Sequence, residues 1–436
     1  MIESGGGVIP FAGIRLKLPI LRQQESPMTK LAIHGGPKAK PTPYSPGKYY
    51  GEEELQLIRE VLDTGTLSWR GGKVDEFEKA AAERFQVKHV VTVSSGTAAM
   101  HTALAALGAA EGDEVITTPL TDMGTVEGIL AQHSIPVFAD SNLHTRSICP
   151  ESVRSLITDR TKVVLLVHHG GLPCDMDAFL KLGEETGVKI LEDVAQAHGG
   201  RHRGREFGSM GHANGFSMNE SKHMTVGEGG FVTTNDDETA RIASMFRDKA
   251  YIRDEPVPGG RQPVPFAALN YRPTAIDGAI ALAQLGRLDY LVSRRSEIAA
   301  MYFEGLSNLP GLDLPTIVEG GEPAYWPLTA RYTADDPSRD VILDALKAEG
   351  LSIFTGMSPP GNILDTELIQ KRKFYPLTDA IPHFWRDTEY DAESCPNVNE
   401  LLRTVLRLPV SHYYTDEDIE QTIAGVRKVW DHYFQI

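Results

Sequence analysis

The chain has 436 residues, with 43 Lys and Arg against 59 Asp and Glu, a formal net charge of −16. At 41% hydrophobic and 23% charged residues it is a globular composition, which excludes a long disordered chain. The acidity excludes a nucleic-acid binder, because no basic footprint is available to displace counterions; a single phosphate held by local N–H groups stays compatible with it. Three cysteines, Cys149, Cys174 and Cys395, are too far apart for a disulfide framework or a zinc motif and point to a reducing, cytoplasmic setting. No apolar run reaches the roughly 18 residues of a membrane span.

In chain order, residues 1–27 are expected to be a disordered or mis-annotated extension before a start at Met28. They begin acidic and glycine-rich, unlike a secretory signal. Residues 51–64 and 74–85 place apolar side chains three and four apart, which predicts two amphipathic helices. Short β-branched runs follow at 88–94, 114–119, 135–140, 161–168 and 188–193, with helical stretches between them such as 97–107. That alternation predicts an α/β fold with a mainly parallel sheet between helices and ligand contacts at the strand C-termini. One long helix is expected over 275–306. Beyond it come a strand within 325–332, a helix over 338–349 ending at Gly350, and a last helix over 416–433 capped by Thr415. The expected division is a large domain over 28–300 and a smaller α+β domain over 301–436.

Four segments carry chemistry. Ser94-Ser95-Gly96-Thr97 opens the helix after the first strand. It reads either as an anion cradle or as a plain helix cap through Ser95 or Thr97. Glu192 and Asp193 end an apolar strand, either facing a ligand or capping the next helix, with Gln196 three residues on. Lys222 lies in a polar loop, five residues after Ser217 and just before Gly227-Glu228-Gly229-Gly230. A surface lysine is the commoner case. A loop this rich in glycine makes sense where backbone wraps a ligand and a desolvated amine acts as nucleophile. Leu269-Asn270-Tyr271-Arg272-Pro273 forms a polar cluster before the long helix.

A phosphate cradle, a strand-end aspartate and a lysine 29 residues after it are the parts that pyridoxal phosphate requires. The order SGT, EDxAQAxG, FSxxxxK, GEGG, NYR resembles the DegT/StrS group of sugar aminotransferases, of the aspartate-aminotransferase fold type (fold type I). The likeness runs over about residues 28–436. It includes LAIHGGPKA, VFAD, PCDMD and the late CPN, LPV and T-x-E-D-I segments.

The resemblance implies a role for each matching residue. Lys222 would carry the cofactor as a Schiff base and shuttle a proton, while Asp193 would pair with the ring nitrogen. Gln196 would approach the 3′-oxygen. Gly96, Thr97 and Ser217 would hold the phosphate beside Ser95. Asn270 would reach the phosphate of a neighbouring subunit, making a homodimer with a composite site. Met123 would take the place where the group stacks an aromatic ring on the cofactor. His223 reads equally as a substrate contact or a packed neutral imidazole.

The activity implied is transfer of an amino group from glutamate or glutamine to a keto-sugar, nucleotide-linked, or to a keto-cyclitol of an aminoglycoside-type pathway. The acidity leans slightly toward the neutral cyclitol. Two alternatives are a sugar dehydratase of the same fold, in which histidine replaces the lysine, and a non-catalytic regulator that keeps the cofactor. Lys222 argues against the first, and Lys222, Asp193 and Ser217 together argue against the second.

Overall fold

The computed structural model describes residues 30–47, 50–253, 262–357, 361–374 and 380–436. The extension expected over 1–27 lies outside the described residues.

The two predicted amphipathic helices form as α1 (Glu52–Thr64) and α2 (Lys73–Phe85). Glu54 reaches back to the Gly51 N–H at 2.8 Å and satisfies a donor that the helix itself cannot. Helix α2 buries Val74, Phe77, Ala81 and Phe85, the residues of its apolar stripe. The alternation then unfolds as β1 (His89–Val93), α3 (Gly96–Ala106), β2 (Glu114–Thr117), α4 (Met123–Ala131), β3 (Ile135–Phe138), α5 (Pro150–Leu156), β4 (Thr161–Val167), α6 (Met176–Thr186) and β5 (Lys189–Asp193). A small ribbon, β6 (Arg201–His202) and β7 (Arg205–Glu206), precedes β8 (Ala213–Ser217), β9 (Gly230–Thr234) and α7 (Asp237–Arg247).

Seven of these strands make one sheet in the order β1-β9-β8-β5-β4-β2-β3. Only β9 runs against its neighbours; the β8–β5, β5–β4, β4–β2 and β2–β3 pairs are parallel. The middle strands read as unbroken apolar runs because both faces are covered. Along β4, Val164 and Leu166 enter the cluster built on Phe77, Phe85, Phe179 and Phe216. Val163, Leu165 and Val167 enter the one built on Met100, Leu104 and Leu191. Each such side chain is worth about 1.5–3 kcal/mol when removed from water. The C-termini of β1, β5 and β8 all point to one edge of the sheet, so Ser95, Asp193 and Ser217 meet there.

The helix expected over 275–306 is two helices, α8 (Ala275–Gly286) and α9 (Leu288–Leu306), broken at Arg287. Gly286 is the weak point of that stretch. Helix α8 packs on α1 and α2, while α9 packs on the C-terminal helix.

The remaining elements are β10 (Leu312–Asp313), β11 (Gly321–Glu322), β12 (Leu328–Tyr332), α10 (Arg339–Ala348), α11 (Glu367–Gln370), α12 (Pro396–Thr404), β13 (Val405–Leu408) and α13 (Asp416–Phe434). Strands β10, β12 and β13 form an antiparallel sheet, and β11 pairs with β6. Helix α13 starts on a reciprocal cap between Thr415 and Asp418 and buries Ile419, Val426, Val429 and Trp430. Met357, Ile363, Trp385, Val398 and Leu401 also form a cluster with Leu120, Val126, Leu130 and Phe138, which covers the β3 edge of the large sheet. There the Tyr390 hydroxyl donates to the Pro136 carbonyl at 2.7 Å.

Candidate active site

A cavity of about 720 Å³ opens at the strand C-termini, lined among others by Ser95, Gly96, Thr97, Asp193, Gln196, Ser217 and Lys222. Its floor is the start of α3. Ser95 caps that helix, accepting from the Ala98 N–H at 3.0 Å. The N–H groups of Gly96 and Thr97, first in the helix, have no intrahelical acceptor and form the positive end of the helix dipole. A Cβ on Gly96 would lie 2.6 Å from the Ser217 Cβ, so only glycine lets the helix start and the end of β8 come this close. The Ser95 cap, one of the two alternatives in the sequence, is present, and it leaves the Gly96 and Thr97 N–H groups available to an anion.

Asp193 ends β5 with its carboxylate in the cavity wall, 5% exposed. One oxygen accepts from the Thr125 hydroxyl at 2.8 Å and the other from the Ala195 N–H at 3.0 Å. Burial pushes its carboxyl above the usual range. The Ala195 and Thr125 contacts and the nearby Lys222 charge pull the other way. Glu192, its neighbour, points to the opposite side. It is consumed by His168 and by the N–H groups of Gly208, Met210 and Gly211. Gln196 accepts from the Gly170 N–H at 2.6 Å through its carbonyl oxygen, which leaves its NH₂ as the free donor.

Lys222 sits on the loop that joins β8 to β9. A turn from the Lys222 N–H to the Asn219 carbonyl at 2.9 Å shapes the loop, and Gly227 at φ +91° supplies the left-handed residue. Gly230 is required for a second reason: its Cβ would lie 2.4 Å from the Ser95 carbonyl oxygen. The lysine amine lies 4.5 Å from the centroid of the Trp326 ring. Trp326 is held in turn by its indole N–H on the Ser221 carbonyl at 2.6 Å. Burial lowers the Lys222 pKa from a lysine's ordinary value. Asp193 and Asp122 raise it, and Arg407 adds to the lowering.

Three expectations need correction or placement. Met123 does not line the cavity; it packs toward the Leu120–Trp385 cluster. It is the first residue of α4, and the cap of that helix, Asp122, holds the cavity position instead, its carboxylate accepting from the Gly124 N–H at 2.9 Å. His223 points away from the site. It is 1% exposed, its Nε2 is bonded to the Ala324 carbonyl at 3.0 Å, and burial holds it well below the usual histidine range, so it is a packed neutral imidazole. Asn270 lies outside this cavity, on an exposed stretch lining a separate hollow of about 300 Å³ with Trp69, Arg253 and Arg272.

The far wall of the cavity was not foreseen from the sequence. Trp326, Phe354, Met357 and Arg407 close it, and Thr125 and Glu228 also line the cavity. The one available signal was the Leu406-Arg407-Leu408 alternation, which puts the arginine alone on the open side of β13. Among the described residues, no group of His, Cys, Asp and Glu is arranged to hold a metal ion. No helix among them is long and apolar enough to cross a membrane.

The donor set suits pyridoxal phosphate: free helix N–H groups and a serine hydroxyl for a phosphate, a buried carboxylate for a ring nitrogen, and a desolvated amine between them. The description "DegT/DnrJ/EryC1/StrS aminotransferase family" matches residues 48–357. The chain is 34% identical to the spore coat polysaccharide biosynthesis protein SpsC of Bacillus subtilis, covering 87% of this chain and 95% of that one. It is 32% identical to GDP-perosamine synthase of Caulobacter vibrioides, covering 86% and 95%. An aminotransferase from Psychrobacter cryohalolentis superposes with a TM-score of 0.79 at 28% identity, over 90% of this chain and 100% of that one. The chain therefore belongs to the DegT/DnrJ/EryC1/StrS aminotransferase family, whose members use pyridoxal phosphate, and it has the type I aminotransferase fold.

Proposed function

We propose that this aminotransferase moves an amino group from glutamate or glutamine to a nucleotide-linked keto-sugar, with pyridoxal phosphate held on Lys222. The observation that carries the reading is that Lys222 and Asp193 share one cavity whose floor is the start of α3 with Ser217 against it. The two named relatives, a polysaccharide biosynthesis protein and a GDP-sugar synthase, favour a sugar acceptor over a cyclitol.

When bound, the cofactor supplies an electron sink for a carbanion formed beside it. The chain's own residues do the rest. The N–H groups of Gly96 and Thr97 and the Ser217 hydroxyl would anchor the phosphate beside the Ser95 cap. Asp193 would keep a proton on the ring nitrogen, its two oxygens already oriented by Thr125 and Ala195. Gln196 would donate its NH₂ to the ring oxygen. Lys222, kept below its ordinary pKa by burial, would take a proton from the substrate carbon and return it during turnover. In each direction the same amine serves as base and then acid.

The proposed assembly is a homodimer in which Asn270 of the partner subunit completes the phosphate site. It is supported by the position of this chain's own Asn270, outside its cavity and exposed. Residues 28–300 and 301–436 are proposed as the large and small domains. A reducing, cytoplasmic location is proposed from the three free cysteines. The lysine in the cavity, with His223 buried elsewhere, favours transamination over dehydration.

The test is spectroscopic. The purified protein should be yellow, lose that absorbance on addition of glutamate or glutamine, and keep the cofactor on Lys222 after borohydride reduction. Colour without a response to any amino acid would favour a binding protein. A Lys222→Ala protein that still transaminates would end the assignment. Presenting nucleotide-linked keto-sugars and keto-cyclitols to the aminated protein would decide the acceptor.

A further inference from the structure

Gln196 and the far wall of the cavity meet at one turn, His169–Gly171, which follows β4. The Gly170 N–H donates to Gln196, and the Gly170 carbonyl accepts from the Trp326 N–H at 2.9 Å. The Gly171 carbonyl accepts from the Ala324 N–H at 3.0 Å. A Cβ on Gly171 would lie 2.6 Å from the Tyr325 nitrogen, so main chain meets main chain there with no space for a side chain. The Trp326 part of the wall is therefore placed by backbone.

The other part, residues 354–357, hangs between two supports. On one side is β13, where the Arg407 N–H donates to the Phe354 carbonyl at 2.7 Å and Arg407 Nη1 to the Gly356 carbonyl at 3.0 Å. On the other side is His169. It is 3% exposed, and its Nε2 lies 3.2 Å from the Met357 carbonyl oxygen. A carbonyl only accepts, so Nε2 carries the proton. Burial, helped by the Arg407 charge, brings the His169 pKa down to about 4, so the ring is uncharged at neutral pH. It holds the strip without placing a further charge beside Arg407 and Lys222. A strip held at β13 alone is free to pivot, and the His169 bond removes that freedom.

The strip borders the cavity with Met357 and with Phe354, which is 61% exposed. Of the two reactants the sugar acceptor is the bulkier, so it reaches farther from Lys222 toward this strip than the amino donor does. We propose that His169 is a positioning residue that fixes residues 354–357 at the distance from Lys222 that the sugar acceptor needs, and so governs saturation by the acceptor. The inference rests on the aminotransferase reading and adds to it the residue that sets the depth of the cavity on the acceptor's side.

The test uses the holoenzyme with His169→Leu, which loses the donor, and His169→Gln, which keeps an N–H near the same place. Folding is checked by circular dichroism and thermal unfolding. Hydrogen–deuterium exchange is followed by mass spectrometry in peptides covering 351–357 and, as a reference, 189–198. The half-reaction with glutamate is read by loss of cofactor absorbance. The acceptor half-reaction is read on the aminated protein with a panel of GDP-, UDP- and dTDP-linked keto-sugars, using the member that the wild type turns over. His169→Leu should speed exchange over 351–357 about tenfold and leave 189–198 unchanged. It should raise the acceptor KM about tenfold, with kcat and the half-saturating glutamate concentration unchanged. His169→Gln should restore both the slow exchange and the acceptor KM. Unchanged exchange over 351–357 in His169→Leu, equal losses in the two half-reactions, or no recovery in His169→Gln would overturn the proposal. The aminotransferase reading fails by a different result, a wild-type holoenzyme whose absorbance responds to no amino acid; exchange over 351–357 still reads the His169 bond in that case.

Discussion

The two sides of the cavity are built by different rules. The floor comes from the large sheet. Ser95, Gly96, Asp193 and Ser217 sit at strand ends and a helix start, where backbone geometry dictates the residue types. The opposite wall comes from Trp326, Phe354 and Arg407, where the Trp326 and Arg407 side chains are held by stacking and single carbonyl contacts and Phe354 by main-chain pairing with Arg407. The floor is thus a set of positions that tolerate little substitution, and the wall is a set of surfaces. Lys222 stands between them. Burial lowers its pKa while Asp193 on one side pulls against that lowering, and its amine is packed on Trp326 on the other.

The strongest way to break this division is Lys222→Ala. The loss expected is about 10³-fold or more in kcat, with the cofactor no longer retained after borohydride reduction and gel filtration. Next comes Gly96→Ala, which tests whether the floor is a backbone device. The added methyl must push Ser217 away. Cofactor affinity should fall about 10- to 100-fold and stability by about 1–3 kcal/mol, read by absorbance titration and thermal unfolding. A wall substitution, Phe354→Ala, should leave cofactor affinity unchanged although it removes far more atoms; equal losses in both would erase the distinction.

Thr125→Val removes one of the two donors on Asp193 and is expected to cost about 1–2 kcal/mol, seen as a roughly tenfold lower kcat with KM unchanged. The smallest effect sharpens the picture on the lysine. Asp122 raises the Lys222 pKa, so Asp122→Asn should lower it further. The neutral amine then exists at lower pH. The rate at which apoprotein takes up pyridoxal phosphate should keep its height, with its acid limb moved to lower pH. A shift to higher pH would show that the Asp122 charge does not act on the lysine.

How much of this was legible follows the same line. Asp193 and Ser217 were visible because a polar or charged residue at the end of an apolar strand is a local anomaly, and Lys222 because its loop is rich in glycine. Arg407 and Trp326 were not. An arginine between two leucines is what any half-exposed strand shows, and its meaning depends on a neighbour 81 positions away, Trp326. The misplacement of Met123 was a matter of one residue. Asp122 is a good helix cap, and reading it so starts α4 at Met123 and turns the half-buried methionine toward the Leu120–Trp385 cluster. The break at Gly286-Arg287 escaped for the opposite reason, since the apolar periodicity runs through it, and a single glycine becomes a break here where α8 and α9 pack on different partners. His223 shows the limit of adjacency: beside the lysine in the chain, it faces the other way.

The approach of Gly230 to the Ser95 carbonyl has a consequence for how enzymes of this build can diversify. It ties the end of the lysine loop to the start of α3 through main chain, with no side chain between to lengthen or shorten. The span from anion cradle to lysine is in that sense a ruler cut into the backbone. A mutation elsewhere cannot re-scale it, so new acceptors have to be accommodated by the wall that faces it, one side chain at a time.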